Sequence, residues 1–208
     1  MLDVNMGVPL MDEPELLAKT VRLVQSLTDL PLCIDSSVVE ALDAGLAAYE
    51  GKALVNSTTG EDDRLDVILP LVKKYGAAII ALPNDETGIP MTADDRMPIV
   101  EKIVRRVEKE GIPLEDLLID PLAMPVGAEP ESVKQTLETI YRVKEKYGLN
   151  SSIGASNVSF GLPNRHALNA AFMPQAMAMG LTSAIMDSRT HEIVQSVRAA
   201  DLLLAKDA

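Results

Sequence analysis

The sequence is poor in the residues that usually announce a chemistry. It has one cysteine, no tryptophan, two phenylalanines and two histidines. The single Cys33 excludes an intrachain disulfide and a thiolate metal cluster. Aromatic residues make up 3% of a chain that is 47% hydrophobic, so aliphatic side chains and Met must fill the core. Basic residues are outnumbered, 19 Lys and Arg against 31 Asp and Glu, for a net charge of −12. That excludes the clustered positive footprint of a nucleic-acid binder and suits a partner protein with a basic docking patch. No apolar run approaches the ~20 residues of a membrane span. The opening MLDVNMGVPLMDEP lacks the basic segment and apolar core of a signal peptide. A cytoplasmic protein is the expectation.

What is present is a regular alternation. Strand-like segments at LDVN, LPLCID, KALVN, GAAIIALP, LEDLLID, SSIGASN and SAIMD are each followed by a helical pattern. Helices are predicted from about Glu13 to Leu27, through Val38, Leu42 and Leu46, and from about Asp62 to Tyr75. The Thr92 and Asp95 pair forms a capping-box pattern before Ile99, Ile103, Val104 and Val107, with Pro98 awkwardly placed near the start. Further helices are predicted from Pro130 or Glu131 to Tyr147, from Arg165 to Met179 and from Thr190 to Ala205. Seven strands alternating with seven helices imply parallel strands joined by helical crossovers.

An open doubly wound sheet and a closed barrel both satisfy that pattern. No Gly-x-Gly-x-x-Gly follows the first strand and no P-loop occurs. Six segments instead finish on Asp or Asn: Asn5, Asp35, Asn56, Asp120, Asn157 and Asp187. Polar ends spread along the whole chain favour an α/β barrel of the TIM (β/α)8 type, in which strand C-termini build the active site. One domain over residues 1–208 is expected, with the first βα unit of a full barrel absent.

Asp35, Asn56 and Asp120 form the leading constellation, acceptors suited to a flat, donor-rich heterocycle. Taken singly, Asp and Asn at strand ends also serve as turn and cap residues; six together point to a site. The same carboxylates could take Mg²⁺ or Ca²⁺ as a second choice to the heterocycle, whereas no His accompanies them, so a zinc site is not expected. The stretch Gly154 to Arg165, GASNVSFGLPNR, combines small residues with Phe160. Its Asn157 can donate and accept, and Arg165 can bind or stack on an anionic tail. As an alternative, Asn164 caps the next helix and Arg165 is a solvated helix residue. Cys33 reads as core, Met173, Met177 and Met179 as helix packing, and His166 and His191 carry no assigned role.

The motifs LDVN, CIDSS (33–37), LVNSTTG (54–60), LIDPLAMP (118–125) and GASNVSFGLPNR together resemble the pterin-binding (β/α)8 barrels. The likeness is to methyltetrahydrofolate:corrinoid protein methyltransferases and the folate domain of cobalamin-dependent methionine synthase. The resemblance implies a methyl group moved between N5 of 5-methyltetrahydrofolate and the cobalt of a corrinoid (cobalamin) on a partner protein. It implies that Asp35, Asn56 and Asp120 hold the pterin, that Asn157 reaches N5, and that Arg165 lies at the site edge. Asn5 joins them as a rim residue. It further implies a homodimer. Dihydropteroate synthases are related, but where they bind a phosphate this chain has Pro-Leu-Ala-Met-Pro after Asp120 and Gly-Ala-Ser-Asn later. A synthase-like condensing enzyme and an inactive pterin-binding module are the alternatives. The family pattern places another strand and helix before LDVN, which this sequence does not show.

Overall fold

The computed structural model describes residues 1–206. The strands are β1 (Leu2–Asn5), β2 (Leu32–Asp35), β3 (Leu54–Thr59), β4 (Ala78–Leu82), β5 (Leu117–Ile119), β6 (Asn150–Gly154) and β7 (Ser183–Ile185). The helices are α1 (Glu13–Leu27), α2 (Val39–Ala48), α3 (Asp62–Tyr75), α4 (Ala93–Glu110), α5 (Ser132–Tyr147), α6 (Arg165–Ala178) and α7 (His191–Leu203). One sheet runs β1-β2-β3-β4-β5-β6-β7, so every strand neighbours its successor in sequence. The β1-β2, β2-β3, β3-β4 and β6-β7 pairs are parallel. Sequential order, parallel pairing and a helix in each crossover define an α/β fold of the TIM type with seven βα units. Among the described residues no helix is long and apolar enough to cross a membrane.

Contacts divide the chain into two compact units: Met1–Gly88 with Glu101–Leu118, and Ile89–Val100 with the residues from Ile119 onward. In the first unit the strands carry the core. Val4, Ile34 and Val55 occupy matching places on one side of β1, β2 and β3, and all three are buried. Leu17 and Val21 of α1, Leu42 and Leu46 of α2, and Leu65, Ile68, Leu69 and Val72 of α3 are buried with them. Strand side chains alternate between faces, so Asn5, Asp35 and Asn56 fall on the opposite side from that apolar row.

Local chemistry sets the helix limits. Asp12 accepts a hydrogen bond from the Glu15 amide at 3.1 Å, which opens α1 beside Pro14. Thr92 and Asp95 make the expected reciprocal cap: the Asp95 amide donates to Thr92 Oγ1 at 3.2 Å, and that hydroxyl donates to Asp95 Oδ2 at 2.6 Å. Pro98 lies inside α4 without displacing its start from Ala93. Gly76 and Gly148, at φ 60° and 65°, close α3 and α5 in the left-handed conformation that glycine adopts without steric cost.

The polar strand ends divide. Asn5 and Asp35 are the last residues of β1 and β2, and Asp120 directly follows β5. Asn56 sits inside β3, which continues to Thr59 across a register shift between Asn56 and Thr58. Asn157 and Asp187 are not strand ends. β6 stops at Gly154 and Asn157 opens a 3-10 turn, while β7 stops at Ile185.

Candidate functional site

In the first unit, register brings three of the expected residues into one row. Asn5 is paired with Asp35, and Asp35 with Asn56, across β1, β2 and β3. Because neighbouring parallel strands lie about 4.8 Å apart, the row spans about 10 Å, the width of a bicyclic heterocycle. Burial pushes the Asp35 carboxyl above its ordinary value, a hydrogen bond from the Asn5 side chain pulls it down, and Asp3 and Glu13 push it up again. Asn5 is itself oriented, its Oδ1 accepting from the Gly7 amide at 3.0 Å. Glu13 accepts from the Ser36 hydroxyl, and Ser36 Oγ accepts from the Val38 amide at 3.0 Å. Cys33, paired with Asp3, is 3% exposed, and burial first and Asp3 second raise its thiol well above the ordinary range. It is a packed neutral thiol, as the sequence suggests.

In the second unit Asp120 leads a loop whose carbonyls are tied down one by one. Arg96 Nη1 donates to the Pro121 carbonyl at 2.8 Å, Thr136 Oγ1 to the Leu122 carbonyl at 2.8 Å, and Ser132 Oγ to the Met124 carbonyl at 3.0 Å. The Val126 amide donates to the Val158 carbonyl at 2.9 Å, which joins this loop to the Asn157 turn. Asp120 Oδ1 accepts from the Leu122 amide at 2.8 Å. Burial pushes the Asp120 carboxyl up to about 6, against the opposing pull of that amide and of Arg96. A carboxyl poised there ionises near neutrality and gains an acceptor when a donor arrives.

Asn157 is exposed, and its amide folds back over Gly154. Its turn is held by Arg165, whose Nη2 donates to the Ser156 carbonyl at 2.8 Å and whose Nε donates to Ser159 Oγ at 3.1 Å. The guanidinium carbon lies 5.6 Å from the Phe160 ring centre. Arg165 is therefore not a free solvated side chain, and Asn164, left-handed at φ 53°, makes no side-chain cap. Asp187 is gripped by Arg189 through both carboxylate oxygens at 2.9 Å, which holds its pKa down to about 2.

A cavity of about 270 Å³ beside this turn is lined by Ser156, Arg165, His166, Asn169, Asp187 and Thr190. His166 thus borders the turn, a position its sequence context did not signal. Among the described residues no group of three or more His, Cys, Asp or Glu side chains is arranged to hold a metal ion. Arg96 is the other residue that the sequence reading passed over. The available signal was its phase, since it continues the stripe of Val100, Ile103 and Val107 along α4.

Residues 1–187 match the family described as pterin binding enzyme. The methylcorrinoid:tetrahydrofolate methyltransferase of Eubacterium limosum is 32% identical over 209 residues, 99% of this chain and 77% of that protein. The methionine synthase of Mycobacterium tuberculosis is 33% identical over 79% of this chain, which spans 15% of that protein. A solved dihydropteroate synthase from Stenotrophomonas maltophilia covers 100% of this chain and 83% of its own, with a TM-score of 0.76 at 19% identity. One from Xanthomonas albilineans covers 98% and 79%, with a TM-score of 0.75 at 21% identity. At those identities the two structures establish the fold alone. The family match extends over nearly the whole sequence, and the chain belongs to the pterin-binding enzyme family.

Proposed function

We propose that this protein is a methyltransferase that moves a methyl group between N5 of tetrahydrofolate and the cobalt of a corrinoid carried by a separate protein. The observation that carries the reading is the 32% identity, over 99% of the chain, to the Eubacterium limosum methyltransferase. The chemistry of the site residues supports it. A pterin presents ring N–H and exocyclic amino groups along its pyrimidine edge, and Asp35, Asn56 and Asp120 offer it acceptors. Charge-assisted bonds of this kind are strong and directional where water is excluded.

The corrinoid cobalt supplies the nucleophile for a methyl group on folate, or the methyl group in the opposite direction. The protein's own task lies at N5. A tertiary amine is a poor leaving group, so N5 must acquire proton character before its bond to the methyl carbon breaks. Asn157 can accept from N5–H and donate to the bare nitrogen. It stabilises the protonated form through a hydrogen bond that strengthens toward the transition state. Arg165 contributes by fixing the turn that carries Asn157.

The test is titration with 5-methyltetrahydrofolate, with and without a reduced corrinoid protein. Saturable binding together with corrinoid-dependent demethylation is the expected result. Binding without transfer would make the protein a pterin-binding module. Turnover of a pterin pyrophosphate with p-aminobenzoate would make it a condensing enzyme instead.

A further inference from the structure

Arg96 is 0% exposed, among the largest fully buried side chains, and it lies on the same stripe of α4 as Val100, Ile103 and Val107. A guanidinium in an apolar stripe loses its hydration and must recover it from the protein. Its neutral partners do not do so. Nε donates to the Pro90 carbonyl at 3.1 Å and Nη1 to the Pro121 carbonyl at 2.8 Å, while Nη2 is buried with no hydrogen-bond partner. A neutral amide could serve both carbonyls without burying a charge.

The carboxylates in the first turn of its own helix face other partners, Asp94 pairing with Arg142 and Asp95 with Thr92. From α5, the side chains of Ser132 and Thr136 reach the loop after β5 as neutral hydroxyls. Burial lowers the pKa of Arg96, and the charge that opposes this is Asp120, one residue before Pro121. The relation is reciprocal, since Arg96 is the charged group that favours the ionised form of Asp120.

We propose that Arg96 is the positioning residue for Asp120: it clamps the loop that follows this carboxylate and supplies the positive charge that lets it meet a ligand's N–H edge ionised. The identity of that ligand rests on the function proposed above; the clamp and the charge do not. Without the charge, Asp120 protonates at a higher pH. One acceptor oxygen then becomes a donor pointed at another donor.

The experiment follows the Asp120 carboxyl by ¹³C NMR in ligand-free protein, assigned with Asp120→Asn. Arg96→Gln keeps donors for the carbonyls and removes the charge; Arg96→Lys keeps the charge and removes the fork. The Gln variant should titrate at least about one pH unit higher than wild type, and the Lys variant within a few tenths. An unmoved Asp120 titration in a folded Gln variant overturns the proposal. If the Gln variant does not fold, the double variant with Asp120→Asn decides. Recovered folding supports the charge coupling, and continued unfolding reduces Arg96 to a structural clamp. In 5-methyltetrahydrofolate titrations the Gln variant should lose at least about fivefold in affinity at pH 6 and recover most of it at pH 8, a pattern that a packing defect would not produce. A shifted Asp120 with no folate binding at any pH would leave the Arg96 assignment standing and refute the folate reading alone.

Discussion

A Cβ built on Gly154 would lie 2.9 Å from Nδ2 of Asn157 and 3.3 Å from its Cγ, so the Asn157 amide occupies the space that the glycine leaves. The conflict is with the far end of one exposed side chain, which can swing away. Gly154→Ala should therefore change stability by less than about 1 kcal/mol while displacing the amide. Methyl transfer should fall nearly as far as in Asn157→Ala, and the double variant should lose little more. Additive losses in kcat would show that Gly154 matters for a separate reason.

Asn157→Ala itself separates transition-state stabilisation from binding. If the amide serves N5 mainly as it gains a proton, kcat should drop by about 10² to 10³, the size of effect seen on deleting one preorganised hydrogen-bonding group. The dissociation constant for 5-methyltetrahydrofolate should change by no more than about threefold. Stopped-flow methyl transfer beside equilibrium titration measures the two quantities. Equal losses in both would remove Asn157 from the chemical step.

These two residues also mark where the sequence stopped being legible. Helices α1 and α3 fall where their caps, turn residues and apolar spacing put them, because those signals are local. The Thr92 cap overrode Pro98 for the same reason. Strand ends are set by pairing with neighbours, which is not local, so β6 stopped at Gly154 and left Asn157 in a turn. The row of Asn5, Asp35 and Asn56 followed from motif residues, yet its register needed the sheet. Arg96 was hidden because a charged residue in the first turns of a helix normally reads as solvated.

The pH dependence of Asp120 has a definite sign. Its folded carboxyl titrates at about 6, above the ordinary aspartate value of 3.8, so folding favours the protonated form. The stabilisation from keeping that proton is complete below pH 3.8 and disappears as pH rises through about 6. Asp120→Asn carries no such term. The melting temperature of the variant relative to wild type should therefore rise between pH 4 and pH 7, as followed by scanning calorimetry. Under the proposed function ligand binding should run the other way, because the acceptor offered to the pterin is the carboxylate. Affinity for 5-methyltetrahydrofolate in wild type should weaken as pH falls below about 6, approaching tenfold per unit.

The helix behind Asp35 offers a test of how tightly its strand must be placed. A Cβ on Gly45 of α2 would come within 2.8 Å of Ile34 Cγ2 and 3.2 Å of Leu17 Cδ2, both side chains being 0% exposed. Nothing there can swing into solvent, so Gly45→Ala must push α2 away from β2 or force Ile34 off its rotamer. Overpacking of this kind costs about 1 to 3 kcal/mol, offset in part by the better helix propensity of Ala. Denaturant unfolding should show the net loss. Ile34 directly precedes Asp35, and Asp35 is paired with both Asn5 and Asn56, so any displacement of β2 reaches the middle of the acceptor row. Folate affinity should fall along with stability in Gly45→Ala. It should stay at the wild-type level in a comparably destabilised variant of the second unit, such as Phe172→Leu, whose side chain is buried in a separate apolar cluster. Equal affinity loss in both would mean that global stability, rather than the placement of β2, limits binding.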